Sequence, residues 1–228
     1  MATLALDLPG VSIFAMRRET PRLQAALADA RWLFARAVWG RILALELKRA
    51  AAIADPAARA ARHAHLRTRF RHAEAKHIHL MEAAVQDLRV ERAFPAGPAL
   101  SRIAGPDYRD DGLLLYVPGG SFLVERSPQF TGMIARIARA AGVDAVVCDY
   151  RLAPESPCPA AIEDVETAFA VLAAHGTEAH RIILIAESAG ASIALAAAQR
   201  MVARGRAPGG IALLSPWIDC DPSAAHLD

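Results

Sequence analysis

Four short apolar runs stand out in the second half of the chain: GLLLYV at 112–117, DAVVCD at 144–149, RIILIA at 181–186 and GIALLS at 210–215. Each is too short for a helix that buries a face and is bounded by Gly, Pro or charged residues, so all four are predicted as buried strands. Between them, over 129–141, 160–175 and 190–204, the apolar positions follow helical spacing. The order βαβαβαβ predicts a doubly wound α/β domain with a mostly parallel sheet and right-handed crossovers.

The first half has a different rhythm. Thr20-Pro21 pairs an N-cap residue with proline at the first helical position, and strong helix formers continue to about residue 54, with Gly40 as a kink point. Asp55-Pro56 repeats the signal. After it Leu66, Phe70, Ala73, His77, Met81, Val85 and Leu88 recur at three- and four-residue steps, while Arg59, Arg62, Arg69 and Arg71 are expected on a solvated face. The change of character near FPAGP at 94–98 divides the chain into a helical segment, 1–93, and an α/β domain, 94–228.

Charge sharpens that division. Residues 1–100 carry 16 Lys and Arg against 9 Asp and Glu, and the remainder carries 10 against 15. With 54% hydrophobic residues the chain can bury a large core, which excludes a disordered or fibrous protein. Its three cysteines, Cys148, Cys158 and Cys220, form no CxxC pair, which excludes a disulfide framework and points to a reducing cytoplasm. The longest apolar stretch, around Trp32, Phe34 and Trp39, is interrupted by Arg36, Arg41 and Glu46, so no transmembrane segment is expected. His63, His65, His72, His77 and His79 crowd the second helix, but His72 lacks the i, i+4 partner that would place two imidazoles on one metal. No metal, cofactor or nucleic-acid partner is expected.

Candidate chemistry sits at the end of the third run, where Ala186-Glu187-Ser188-Ala189-Gly190 leads into a helix of small residues. A serine on a sharp strand-to-helix turn exposes its hydroxyl above the sheet, and small residues two before and two after it let the two backbones pass closely. Alone, such a serine is equally a helix cap.

Its surroundings distinguish the two. YVPGGSF at 116–122 closes the first run, DYRLAPE at 149–155 with Pro157, Pro159, Ala160, Ala161 and Asp164 closes the second, and SPWID at 215–219 closes the fourth. In this order the strings resemble the hormone-sensitive-lipase-like family of bacterial α/β-hydrolases, over residues 90 to about 222. The resemblance implies an α/β-hydrolase-type sheet with the 1–93 segment as its cap. It further implies a carboxylic ester hydrolase in which Ser188 attacks a small-molecule acyl ester to form an acyl-enzyme, and Gly119, Gly120 and Ala189 hold the oxyanion.

The sequence departs from the family's strings in several places. Ala186 replaces the first glycine of the elbow, Pro118 stands where the family has histidine, and Ser121 replaces the third glycine of the oxyanion string. Forty residues follow Ser188, enough for one helix and one strand, whereas the family brings in its acid and histidine on loops after later strands. Asp219 or Asp221 with His226 has the right chain order for an acid and base. Catalysis is therefore expected to be impaired and the sheet to lack its last strands. A non-catalytic binding or scaffold module is the alternative, and a basic helical appendage acting on a membrane or nucleic acid is a third reading. An unpaired edge on the fourth strand predicts a homodimer or other self-association.

Overall fold

The computed structural model describes residues 45–46, 49–50, 52–75, 89–92, 98–104, 109–126 and 128–218, and of these 70–75, 89–92, 109–111 and 128–129 by their backbone alone. Two compact units are recorded, Met1–Glu46 and Leu47–Asp228, and the described residues lie almost wholly in the second. The expected long helix with Trp32, Phe34 and Trp39, and the Met81, Val85 and Leu88 part of the second, fall outside the described residues.

Helix α1, Pro56–Ala75, begins where its start signal predicts. Asp55 accepts from Ala57 N–H at 3.3 Å and Ala58 N–H at 3.0 Å, satisfying two of the four orphan donors of the first turn. Its apolar stripe includes Leu66, which is buried. Arg59 departs from the solvated face expected for it: its guanidinium folds back onto the carbonyls of Ile53, at 3.0 Å, and Ala54, at 3.1 Å, and the residue is partly buried.

The sheet has six strands: β1 Arg89–Arg92, β2 Ala99–Ala104, β3 Arg109–Val117, β4 Val143–Asp149, β5 Ile182–Glu187 and β6 Gly210–Leu214. Four of these are the predicted runs. The other two are an addition to the sequence reading. They form an antiparallel edge, β1 on β2 and β2 on β4, attached to a parallel set of β4, β3, β5 and β6. RVER and ALSRIA escaped notice because four or six residues that include Arg89, Arg92 and Arg102 carry little apolar periodicity, although Leu100 and Ile103 are fully buried.

Helices α2, Pro128–Ala141, α3, Ala160–Ala174, and α4, Ala189–Ala203, fill the gaps between parallel strands as predicted. The period-two rule places Leu113, Leu115 and Val117 of β3 on one face with Leu184 and Ala186 of β5, against Phe169 of α3 and Ile193 of α4. Leu114 and Tyr116 face the other way, with Ile185, against Ile134 and Ala138 of α2. Both faces of the sheet are thus covered, which is why β3 and β5 read as unbroken apolar runs.

Strand order β1-β2-β4-β3-β5-β6 reverses direction at β3: the chain steps out to β4, then returns to the other side of β3 to form β5. At such a switch point the loops after neighbouring strands diverge and open a crevice at the carboxyl ends. Pro118, Tyr150 and Ser188 follow β3, β4 and β5 there. Among the described residues no helix is long and apolar enough to cross a membrane.

Candidate active site

Ser188 occupies the single residue between β5 and α4, with φ 51° and ψ −123°. A left-handed φ on a residue with a Cβ costs on the order of 1–3 kcal/mol and persists only where neighbours enforce it. Here Ser188 N–H donates to Leu214 O at 3.1 Å, and Ser188 O accepts from Ala191 N–H at 3.0 Å and Trp217 N–H at 3.1 Å. The string SPW therefore clamps the backbone of the serine from the next strand. The hydroxyl makes no capping bond to α4, so the helix-cap alternative is removed for this serine. Ala186 is fully buried, and a Cβ on Gly190 would stand 2.3 Å from Val117 O and 2.4 Å from Pro118 O, so the small residues around the serine are required by close backbone passage.

The loop after β3 faces this turn. Gly120 has φ 134°, and a Cβ there would stand 2.2 Å from Val124 O, so only glycine fits. Ser121 and Phe122 follow at φ 53° and 63°, the second an uncommon conformation for an aromatic residue. The turn is closed by Leu123 and Val124, whose N–H groups both donate to Gly120 O at 3.0 Å. It is tied to the loop after β4 by Ala153 N–H donating to Phe122 O at 3.0 Å, and the Phe122 ring lies 5.6 Å from that of Trp217.

Pro118, in place of the expected histidine, is buried and its carbonyl accepts from the Tyr150 hydroxyl at 2.9 Å. Burial pushes the Tyr150 hydroxyl well above the ordinary tyrosine range, aided by Cys148 and Glu187, so it remains a protonated donor. Gly119 N–H donates to Glu187 Oε2 at 3.1 Å in a buried contact. Of the three expected oxyanion donors, Gly119 is thus engaged by a side chain, while Ala189, first residue of α4, has no intrahelical acceptor for its N–H.

Asp164, predicted only as part of a motif, braces the loop after β4: it accepts from Arg151 N–H at 2.8 Å and from Arg151 Nε at 3.0 Å. Beside Gly119 a cavity of about 400 Å³ opens between Pro118, Val124, Arg126, Asp149 and Leu152. His175 and His180 stand before β5, at the end of the strand opposite Ser188. Asp219, Asp221 and His226 lie outside the described residues. Among the described residues no cluster of three or more His, Cys, Asp or Glu could hold a metal.

One contributor was invisible in the sequence. Arg67 of α1 donates from Nε to Leu123 O at 2.6 Å, from NH1 to Glu155 Oε1 at 2.9 Å, and from NH2 to Glu155 Oε2 at 2.6 Å and to Ala153 O. Nothing in an arginine-rich helix distinguishes this arginine from Arg69, which is exposed.

The same contact predicts a response to acid. Hydrogen bonding to Arg67 holds the Glu155 carboxyl below the usual carboxylate range, and His63, buried one turn before Arg67, is held below 6.5 by burial and then by the Arg67 charge. Both groups have depressed values in the folded state. The stability they contribute is present above their unfolded values and declines as pH falls through the folded ones, first for His63 and then for Glu155. The melting temperature is expected to drop from pH 7.5 to 5.5, and His63→Phe is expected to flatten that slope. An unchanged slope in the variant would show that groups other than His63 govern it.

Residues 114–227 match the family described as alpha/beta hydrolase fold. The chain belongs to that family. Esterase LipI of Mycobacterium tuberculosis is 38% identical over 145 residues, covering 59% of this chain and 44% of that protein. The acetyl-hydrolase of Streptomyces hygroscopicus is 36% identical over 115 residues, covering 50% and 38%. A solved esterase of the bacterial hormone-sensitive lipase family superposes with a TM-score of 0.57 at 31% identity, covering 81% of this chain and 59% of that one. Within the family, then, the chain resembles esterases of the hormone-sensitive-lipase group, and it spans less than half the length of the curated relatives it matches.

Proposed function

We propose that Ser188 is the nucleophile of a carboxylic ester hydrolase. The observation that carries this reading is the strained, clamped and uncapped turn at Ser188, beside the glycine loop after β3. Attack of Oγ on the ester carbonyl would form a tetrahedral intermediate whose oxyanion lies between the N–H groups of Gly120 and Ala189, while Gly119 and Glu187 fix the loop behind them. The alcohol then leaves with a proton and the serine ester is hydrolysed by water. Phe122 and Trp217 offer an apolar wall for a short-to-medium acyl group.

The imidazole that should take the serine proton is not among the described residues beside Ser188. Where no imidazole reaches Ser188, oxyanion binding alone leaves roughly 10³–10⁴-fold acceleration over water, and we propose this case for the chain. Hydrolysis of p-nitrophenyl butyrate is therefore expected to be slow but serine-dependent, with slow fluorophosphonate labelling, and Ser188→Ala is expected to remove both. Equal rates for the two proteins would favour the non-catalytic module. Rapid stoichiometric labelling would mean that a base such as His226, with Asp219, is in reach. We further propose that two copies associate through β6.

A further inference from the structure

We infer that Arg67 is a positioning residue for the oxyanion loop, through which the helix α1 sets the geometry of the site. In the ester-hydrolase reading this loop supplies Gly120, and the inference deepens that reading; its structural half stands without it.

The guanidinium joins three chain segments that are far apart in sequence: α1, the Gly120–Val124 turn through Leu123 O, and the loop after β4 through Ala153 O and Glu155. An exposed ion pair on its own contributes little. Arg67 differs because its side chain is 14% exposed and two of its acceptors are backbone carbonyls, each the orphan of an irregular loop. The planar fork can serve all of these acceptors at once, which a lysine ammonium cannot.

Leu123 is also the lever. Its carbonyl is held by Arg67, and the Val124 N–H of the same peptide closes the turn on Gly120 O, so the peptide that fixes Gly120 is gripped from both sides. Three successive residues at positive φ would relax if released, and a further restraint, Ala153 N–H on Phe122 O, comes from a loop that Arg67 also holds. Removing the guanidinium thus loosens both loops together, while Asp164 on Arg151 and the Phe122–Trp217 contact remain.

Native-state hydrogen exchange on the whole chain tests this, with Arg67→Met, Arg67→Lys and the exposed neighbour Arg69→Met as control. In both Arg67 variants the amides of Leu123, Val124 and Ala153 are expected to exchange at least about tenfold faster, as expected for a lost hydrogen bond to a charged donor, while those of β3 and β5 are unchanged. Arg69→Met should match the parent. Should Arg67→Met not fold, Arg67→Lys carries the same comparison. Where Ser188-dependent ester hydrolysis is measured, kcat should fall about tenfold with KM nearly constant, because an oxyanion contact is made in the transition state. Parent-like exchange in both loops, or acceleration confined to α1, would overturn the inference. Faster loop exchange in a protein without Ser188-dependent turnover would uphold it and reject the hydrolase reading.

Discussion

Replacing Gly190 by alanine is expected to destabilise the domain by about 3 kcal/mol or more, because the added methyl can be accommodated only by moving backbone. The Cβ would stand 2.3 Å and 2.4 Å from the carbonyl oxygens of Val117 and Pro118, which belong to the central strand and the start of the oxyanion loop. Neither oxygen is the loose end of a side chain. Pro118 O is fixed by the buried Tyr150 hydroxyl, so strain at Gly190 passes directly into the loop that faces Ser188. For a domain of this size the loss corresponds to a fall of roughly 6–12 °C in melting temperature. Gly112→Ala is the internal contrast: its Cβ would meet nothing closer than 3.6 Å, and φ is not positive, so reduced entropy of the unfolded chain should leave it neutral or slightly stabilising. Thermal melts that rank the two variants equally would show that strand and helix can part at the elbow.

These two glycines also mark what the sequence could and could not show. Gly190 was legible because its requirement is local: a strand, one serine and a helix in nine residues leave a single way for the backbones to pass. The parallel strands were legible for a related reason, since burial on both faces turns them into unbroken apolar runs such as Ile182–Ala186. The antiparallel edge was not, because β1 and β2 are short and carry arginines, and the edge rests on β2 pairing with β4 across more than forty residues, with β1 added outside β2. β1 also lies on the N-terminal side of the compositional change near Phe94, so the sheet and the change of composition do not share a boundary.

At the site the same division holds. Ser188, Gly120 and Ala189 are adjacent to recognisable strings, and Asp164 is explained by Arg151 thirteen residues before it. The Pro118 substitution became intelligible only with Tyr150 in view: the peptide carbonyl, not the side chain, is the point held, and any residue at 118 supplies one. Arg67 has no sequence signature because its partners are two carbonyls and a glutamate more than fifty residues away. Strings that resemble a family identify residues whose neighbours are in the same string. They are silent about a brace that arrives from another part of the chain.

Self-association at tens of micromolar is the second large effect expected. Among the described residues β6 pairs with β5 alone, in the register that sets Leu184 against Ile211 and Glu187 against Leu214, so the outer N–H and C=O groups of 210–214 have no strand beside them. Edges that must remain single are protected by charge, proline or a bulge within the strand. GIALL has none of these, and no charged residue occurs from 210 to 218. Ile211, Trp217 and Ile218 are 38%, 36% and 52% exposed, which adds apolar surface along the same edge. A twofold axis beside β6 would pair it with its own copy, giving a self-complementary interface and one continuous sheet. Sedimentation equilibrium should therefore report a dimer, and Ile211→Lys, which places two like charges across that axis, should raise the dissociation constant at least about tenfold without altering the far-ultraviolet spectrum. A monomer at that concentration, with amides 211–214 strongly protected from exchange, would mean that the chain covers its own edge.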